Sequence, residues 1–288
     1  MKIILMFGSI AMIAICGVFV VFHCMNPEKN NKKQVMQNTL ENNSTARVSN
    51  VSIAIVYDNN PYKEELSTAW GFSCVIKGTE KTILFDTGGD GSILLSNMEK
   101  MGITTEEIDL IVISHIHGDH TGGLSSFLEK NSEVVTYLPK SFPESFKGNV
   151  RSYGTEIIEV HESVKICENV YSTGELGIWI KEQSLIIHTD KGLIVITGCA
   201  HPGIVKIVQK AKQLVNGQVL FVMGGFHLGG ETRDKIEEIV INFKNLGVRY
   251  AGPCHCSGDT ARQLFEKEYQ DKYIRLGVGK IVAVEDLQ

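Results

Sequence analysis

The sequence predicts an α/β fold in which two β-sheets pack face to face and helices cover the outside. Three observations carry that reading. Short β-rich runs come first, with few helices between them. Strand and helix then alternate through the second half. Several of the strands, such as "IDLIVISH", are almost wholly apolar, as strands covered on both faces are. No repeat of solenoid type interrupts this order.

The chain opens with a different kind of segment. Ile3 to Phe22 reads "IILMFGSIAMIAICGVFVVF", with no charge after Lys2. That run is long enough to cross a bilayer as a helix, and a transmembrane anchor is expected over residues 1–24. A cleaved signal segment and a lipid-modified Cys24 are the alternatives. Against them, "VFHCMN" has no small-residue cleavage site, and the bulky Phe22 and His23 precede the cysteine. Lys29, Lys32 and Lys33 lean towards a cytoplasmic body by the positive-inside rule. Met1-Lys2 followed at once by an apolar run resembles an export signal instead, and an extracytoplasmic body is expected. Residues 25–50 are rich in Asn and Lys and carry no aromatic. They cannot bury a core and are expected to be a flexible linker.

The body is expected over residues 51–288. Val51–Asp58, Gly71–Gly78 and Lys81–Gly89 read as strands punctuated by turns. A helix follows from Ser92 to Met101, closed by Gly102. The stretch from Leu138 to His188 is less regular; it is expected to be surface connection whose aromatics, Phe142, Phe146, Tyr153, Tyr171 and Trp179, are ordinary core residues. "GLIVITG" is a strand. The helix after it turns Ile204, Ile207, Val208, Ala211, Leu214 and Val215 inward and stops at Gly217. "QVLFVMGG" is again a strand. The next helix has Ile236, Ile239, Val240 and Phe243 inside and ends at Gly247. "RYAGPCHC" leads to a short helix near Asp259 to Glu268.

Composition is that of a globular protein, 43% hydrophobic and 21% charged over 288 residues, with a net charge of −5. No basic stripe with interleaved aromatics is present, so nucleic acid is not an expected partner; a small-molecule substrate is. The body's cysteines, Cys74, Cys167, Cys199, Cys254 and Cys256, form no dense framework and demand no disulfides.

The chemistry lies in the histidines. "VISHIHGDHTGGL" packs His115, His117, Asp119 and His120 just past a buried apolar strand. Imidazole and carboxylate suit zinc, and also iron or manganese. Gly118, Gly122 and Gly123 are expected to allow the tight backbone that such crowding requires. Four groups so close cannot all reach one tetrahedral ion. His115 and His117 can share one metal, and Asp119 with His120 point to a second. The missing ligands are sought at the ends of other apolar strands, where His201, His227 and His255 stand. In a continuing strand Cys254 and Cys256 would both face away from His255, as small buried residues. Cys199, two positions before His201, can share its face as a ligand or as packing.

"LFDTGG", "SHIHGDHTGGL", "TGCAHPG", "GGFH" and "GPCH" together resemble the metallo-β-lactamase superfamily of metal-dependent hydrolases, across nearly all of 51–288. "GFSCVIKG", "GCAHPGIVKIV" and "GGFHL" are similar to its branch named after dihydropterin–ribofuranosylaminobenzene phosphate synthase. The resemblance implies an αββα sandwich with one or two zinc ions at one edge. By position it implies His115, His117 and His201 on the first ion, and Asp119, His120 and His255 on the second. Asp86 would orient the ligand loop from behind; a turn-forming Asp before Gly is its alternative reading. The chain departs from the family at one place. An aspartate bridging both metals is usual between the third and last histidine motifs, and His227 stands there instead. It is expected to bind one ion terminally or to contact substrate.

These features predict metal-assisted hydrolysis of an ester, phosphoester, lactone or amide, with Asp119 and His227 as the groups closest to the reaction. A di-iron redox enzyme on the same scaffold is one alternative. Such relatives usually carry a glutamate in place of the second histidine of H-x-H, together with a flavin domain, and this chain has neither. A non-catalytic metal-binding protein at the membrane is the other.

Overall fold

The computed structural model describes residue 48 and residues 50–288. The anchor expected over 1–24 and most of the linker expected over 25–50 lie outside the described residues. Among the described residues no helix is long and apolar enough to cross a membrane. Val48 is the one described residue of the expected linker besides Asn50. It bridges to Thr189 and packs half-buried against the core.

Strands β1 (Ser52–Asp58), β2 (Phe72–Lys77), β3 (Ile83–Phe85), β4 (Leu110–Val112), β5 (Val135–Pro139) and β6 (Glu156–Val160) form the first sheet. Strands β7 (Val164–Cys167), β8 (Val170–Ser172), β9 (Leu185–Thr189), β10 (Gly192–Thr197), β11 (Val219–Gly225) and β12 (Tyr250–Cys254) form the second. The last strand, β13 (Ile281–Ala283), returns to the first sheet beside β1, giving the order β13-β1-β2-β3-β4-β5-β6. The second sheet runs β12-β11-β10-β9-β8-β7.

The period-2 alternation of strand side chains explains the layers. One face of the first sheet (Ile53, Ile55, Phe72, Phe85, Val112) meets one face of the second (Ile187, Ile194, Ile196, Phe221, Met223) in a shared apolar core. The opposite face of the first sheet (Val56, Val75, Leu84, Ile111) is covered by Leu94 and Met98 of α1 (Gly91–Lys100) and by residues beyond β4. Those residues belong to α3 (Leu124–Leu128) and α4 (Glu144–Arg151) and the segments around them, and the one-turn helix α2 (Gly118–Thr121) precedes α3. The opposite face of the second sheet is covered by α5 (Ile204–Leu214), α6 (Arg233–Asn245) and α7 (Asp259–Tyr269). Both faces of each sheet are therefore apolar, and the αββα sandwich is the result. Phe243 and Phe265, fully buried under the second sheet, are of the size whose truncation to Ala typically costs about 3–5 kcal/mol.

Helix limits follow local chemistry. The Asp90 carboxylate caps α1 by accepting from the amides of Ser92 and Ile93, and Gly102 closes it in a left-handed conformation. Helix α5 ends at Leu214, earlier than Gly217, because Val215 turns extended and buries its side chain as the chain heads back to β11. Trp179 also departs from expectation. It is 94% exposed rather than a core aromatic, at the tip of a hairpin closed by pairing of Leu176 with Glu182.

The pairs β3–β4 and β4–β5 run parallel, as do β10–β11 and β11–β12. In α/β sheets the carboxyl ends of parallel strands are where ligands bind. Gln183 clips the two sheets together beside that edge, donating from its amide to the Ser114 carbonyl and from Nε2 to the Ile113 carbonyl.

Candidate metal centre

Each expected site residue leaves the carboxyl end of a parallel strand. Asp86 follows β3, and the 115–120 cluster follows β4. Cys199 and His201 follow β10, His227 follows β11, and His255 follows β12. His115 and His117 lie on the extended run into α2, and Asp119 and His120 on its first turn. Of the three glycines expected to relieve crowding, Gly118 meets nothing. Gly122 and Gly123 are needed for close approach: a Cβ would lie 2.3 Å from the Gly89 carbonyl oxygen and 2.2 Å from that of Thr87.

The structure brings His115, His117 and His201 together. His117 Nδ1 lies 3.2 Å from both His115 Nε2 and His201 Nε2. Tetrahedral zinc with Zn–N bonds of ~2.0–2.1 Å spaces its nitrogens by about 3.4 Å, so the three donors fit one ion. Burial, reinforced by the neighbouring imidazoles, drives the pKa of His115 far down and that of His201 to about 4. Neutral imidazole is the form a metal requires.

A second group holds Asp119, His120 and His255, and Cys199 joins them. Asp119 Oδ2 stands 3.2 Å from His255 Nε2 and 3.7 Å from His120 Nε2. His255 Nε2 is buried and makes no hydrogen bond of proper geometry, despite the nearby carboxylate. A buried nitrogen with its lone pair turned into a cluster of donors is the signature of a ligand position. Burial opposes ionisation of Asp119, but His255 and His120 more than offset it and hold its pKa well below the usual range. Burial also opposes charge on His120, and Asp86 outweighs it, raising the pKa.

Residues behind the donors orient them. Asp86 Oδ2 sits 2.7 Å from His120 Nδ1, so that ring donates backwards and turns Nε2 inward. The same carboxylate accepts from the Ser114 amide and hydroxyl at 2.6 and 2.7 Å, and Ser114 Oγ lies 2.9 Å from His115 Nδ1. Two supports escaped the sequence reading. Asn59 Oδ1 lies 2.9 Å from His255 Nδ1 and orients that ring from behind. Glu182, fully buried, accepts the backbone N–H groups of Cys199, Ala200 and His201 at 2.8–3.0 Å. Burial pushes its pKa up to about 7 against those three donors. Only the turn-rich "DNNP" hinted at Asn59, and nothing local marked Glu182.

Backbone strain concentrates here. Among the described residues, left-handed φ outside glycine occurs at Asp86, Ala200, His227 and His255, all at the centre, and at Asn169 and Gln270 elsewhere. Such conformations cost of order 1–3 kcal/mol each and persist where the surroundings over-determine them. Close approach is also extreme at Gly198, where a Cβ would lie 2.1 Å from Ser114 Oγ.

His227 does not enter either group of histidines. Its ring lies 4.4 Å from that of His201, and its donors fall with Cys199 and Cys256. The placement of Cys256 corrects the expectation of a strand continuing through "CHC". The strand stops at Cys254, and His255 bends left-handed at φ 48°, so the two cysteines do not share a face. Cys254 stays in the core between the sheets, whereas Cys256 Sγ lies 3.3 Å from Cys199 Sγ. Cys199 Sγ in turn is 3.2 Å from His120 Nε2. Hydrogen bonding from Cys199 and His227 holds the Cys256 thiol below its ordinary range.

Access is graded. His115, His120 and His255 are buried, His117, Asp119 and His201 half-buried, and His227 exposed. Trp70, 60% exposed, lies with its ring 4.9 Å from that of His255 and walls one side of the opening.

Residues 71–205 match the family model described as the Metallo-beta-lactamase superfamily. Over 286 residues the chain is 29% identical to the 7,8-dihydropterin-6-methyl-4-(beta-D-ribofuranosyl)-aminobenzene-5'-phosphate synthase of Methanocaldococcus jannaschii, covering 82% of this chain and 97% of that protein. An uncharacterised protein of the same organism is 30% identical over 268 residues, with 81% of this chain and 100% of that one covered. A solved metal-dependent hydrolase of the beta-lactamase superfamily matches with a TM-score of 0.69 at 28% identity, covering 81% of this chain and 98% of its own.

Proposed function

The chain belongs to the metallo-beta-lactamase superfamily, and from that premise we propose that it is a metal-dependent hydrolase of an ester, phosphoester, lactone or amide. One observation carries the reading: His117 Nδ1 lies 3.2 Å from a ring nitrogen of both His115 and His201, beside the half-buried carboxylate of Asp119. His115, His117 and His201 would hold one ion, and Asp119, His120 and His255 a second. Zinc suits this donor set, with iron and manganese as the alternatives a metal analysis separates. A divalent ion there supplies Lewis acidity, which lowers the pKa of a water and polarises the substrate oxygen.

The chain's own residues set the rest. Substrate approaches over His117, Asp119, His201 and His227, the side open to solvent. Asp119, held ionised, accepts a hydrogen bond from the attacking water and so orients it. His227 stands exposed at the rim of that opening. As the water oxygen bonds to carbon or phosphorus, the bond to the leaving oxygen or nitrogen breaks, and the proton passes to that atom.

The test uses the full chain purified in detergent. Bound metal is measured by mass spectrometry, and turnover on a panel of phosphodiesters and lactones. Loss of metal without loss of hydrolysis in a His115→Ala, His117→Ala double variant sinks the proposal.

A synthase reading is supported by the name of the 29% identical relative. Under it the substrate bears a phosphate ester, and the centre assists bond formation. Product formation from a phosphorylated aminobenzene and a dihydropterin, with no hydrolysis on the panel, favours it. The apolar run at 3–22 supports a body tethered to a membrane on the extracytoplasmic side, which protease accessibility of intact cells tests.

A further inference from the structure

Beside the two histidine groups lies a third set of donors, and we propose that Cys199, His227 and Cys256 form a further metal-binding group for a thiophilic ion such as zinc, cadmium or copper(I). Cys199 is shared with the Asp119, His120 and His255 group.

Two backbone features build this set. His227 takes the left-handed conformation, φ 54°, in a loop with glycines on both sides at 225 and 229. An imidazole at a position where the chain could have used glycine means that the side chain is wanted. His255 takes the same conformation, φ 48°, and that bend carries Cys256 out of the strand direction and against Cys199. Gly225 makes room: a Cβ there would lie 2.7 Å from Cys256 Sγ.

The donor chemistry is specific. Two thiols and an imidazole lie within 4.8 Å of one another. At 3.3 Å the sulfurs are far beyond disulfide length and close to the spacing of two thiolates on one tetrahedral ion, about 3.7 Å for Zn–S bonds of ~2.3 Å. Thiolates select soft or borderline ions over magnesium or calcium. His227 is exposed, so an ion reaches this group without opening the buried histidines.

Cys199 stands between two groups of donors. A thiolate has lone pairs enough for two ions, whereas a ring nitrogen has one. Cys199 Sγ already lies 3.2 Å from His120 Nε2 on one side and 3.3 Å from Cys256 Sγ on the other. Cys199 is thus placed to serve both the Asp119, His120 and His255 group and the new one, in which His227 is a terminal donor.

The experiment loads the full chain with cadmium, removes loose ions by desalting, and measures cadmium per chain together with the ultraviolet thiolate–cadmium band. The wild type is expected to retain one more cadmium ion per chain than Cys256→Ser, a nearly isosteric change. The band is expected to fall by about half in that variant, because Cys199 remains. His227→Ala is expected to lose the same ion and to lower the band by a similar amount, because Cys256 then has no ion to bind. Equal cadmium and an unchanged band in Cys256→Ser overturn the proposal. Should that variant fold poorly, cadmium NMR of the wild type decides, since absence of a resonance in the two-thiolate range overturns it equally. These readouts do not involve turnover. A chain that hydrolyses nothing leaves the proposal standing, and its failure leaves the histidine groups intact.

Discussion

The Asp86 carboxylate lies 2.7 Å from His120 Nδ1, with both residues fully buried, and its other oxygen accepts the Ser114 amide at 2.6 Å. One carboxylate thus sets a ligand of the second group and, through Ser114, a ligand of the first. Asp86→Asn keeps the shape and tolerates the left-handed backbone, but removes the charge. Metal affinity is expected to fall by about 10- to 100-fold, as losses behind a ligand do. Competition against a chelating dye measures it, and unchanged affinity would reduce Asp86 to a turn residue.

Glu182 makes a second, separable prediction. Its two oxygens take three consecutive amides of the loop that presents Cys199 and His201. Glu182→Gln replaces an acceptor oxygen with an NH2 group facing donors. The expected loss is about 1–3 kcal/mol for each buried amide left without a partner. Urea denaturation reads the stability. Zinc titration is expected to show weaker binding at the His115, His117 and His201 group, because His201 loses its anchor.

Why Asp86 was legible and Glu182 was not has a physical basis. Histidines after apolar strands are costly to bury without a purpose, so His115, His120, His201 and His255 announce themselves along the chain. The same apolar runs revealed both sheets, because strands covered on two faces leave little room for polar residues. Asp86 stands in a run that shares this context. Glu182 and Asn59 act on segments about 18 and 196 residues distant, a pairing that exists only once the sheets have met. Cys256 was misplaced because a left-handed bend at a histidine has no sequence signature, and one such residue reverses the face of everything after it.

Glu175 offers a test by pH, away from the metal donors. It begins the hairpin that ends at Glu182, accepts the Ser141 amide at 2.6 Å and lies 2.8 Å from His161 Nδ1. Burial would raise its pKa, but the Ser141 and His161 hydrogen bonds more than offset this, and it falls below its ordinary value of 4.5. A depressed carboxylate stabilises the fold above its unfolded pKa and stops doing so as pH falls through the folded one. The stability difference between wild type and Glu175→Gln is therefore expected to be constant above pH 4.5 and to shrink below it. Denaturation series across that range read it, and a difference that grows on acidification would contradict the hairpin anchor.

Removal of metal tests the centre as a whole. His117 Nδ1 lies 3.2 Å from a ring nitrogen of both His115 and His201, a crowding of donors that a bound cation relieves. Binding to the folded state alone stabilises by about 2.7 kcal/mol when the free ion stands at 100 times its Kd. For a body of this size that corresponds to roughly 5–10 °C in Tm. A chelator is expected to lower the melting temperature by that order, and added zinc to restore it. In the His115→Ala, His117→Ala variant the part due to the first group disappears, whereas the part due to Asp119, His120 and His255 persists. If the chelator changes nothing in the wild type, the donors do not hold an ion under those conditions, and the histidines there are packing alone.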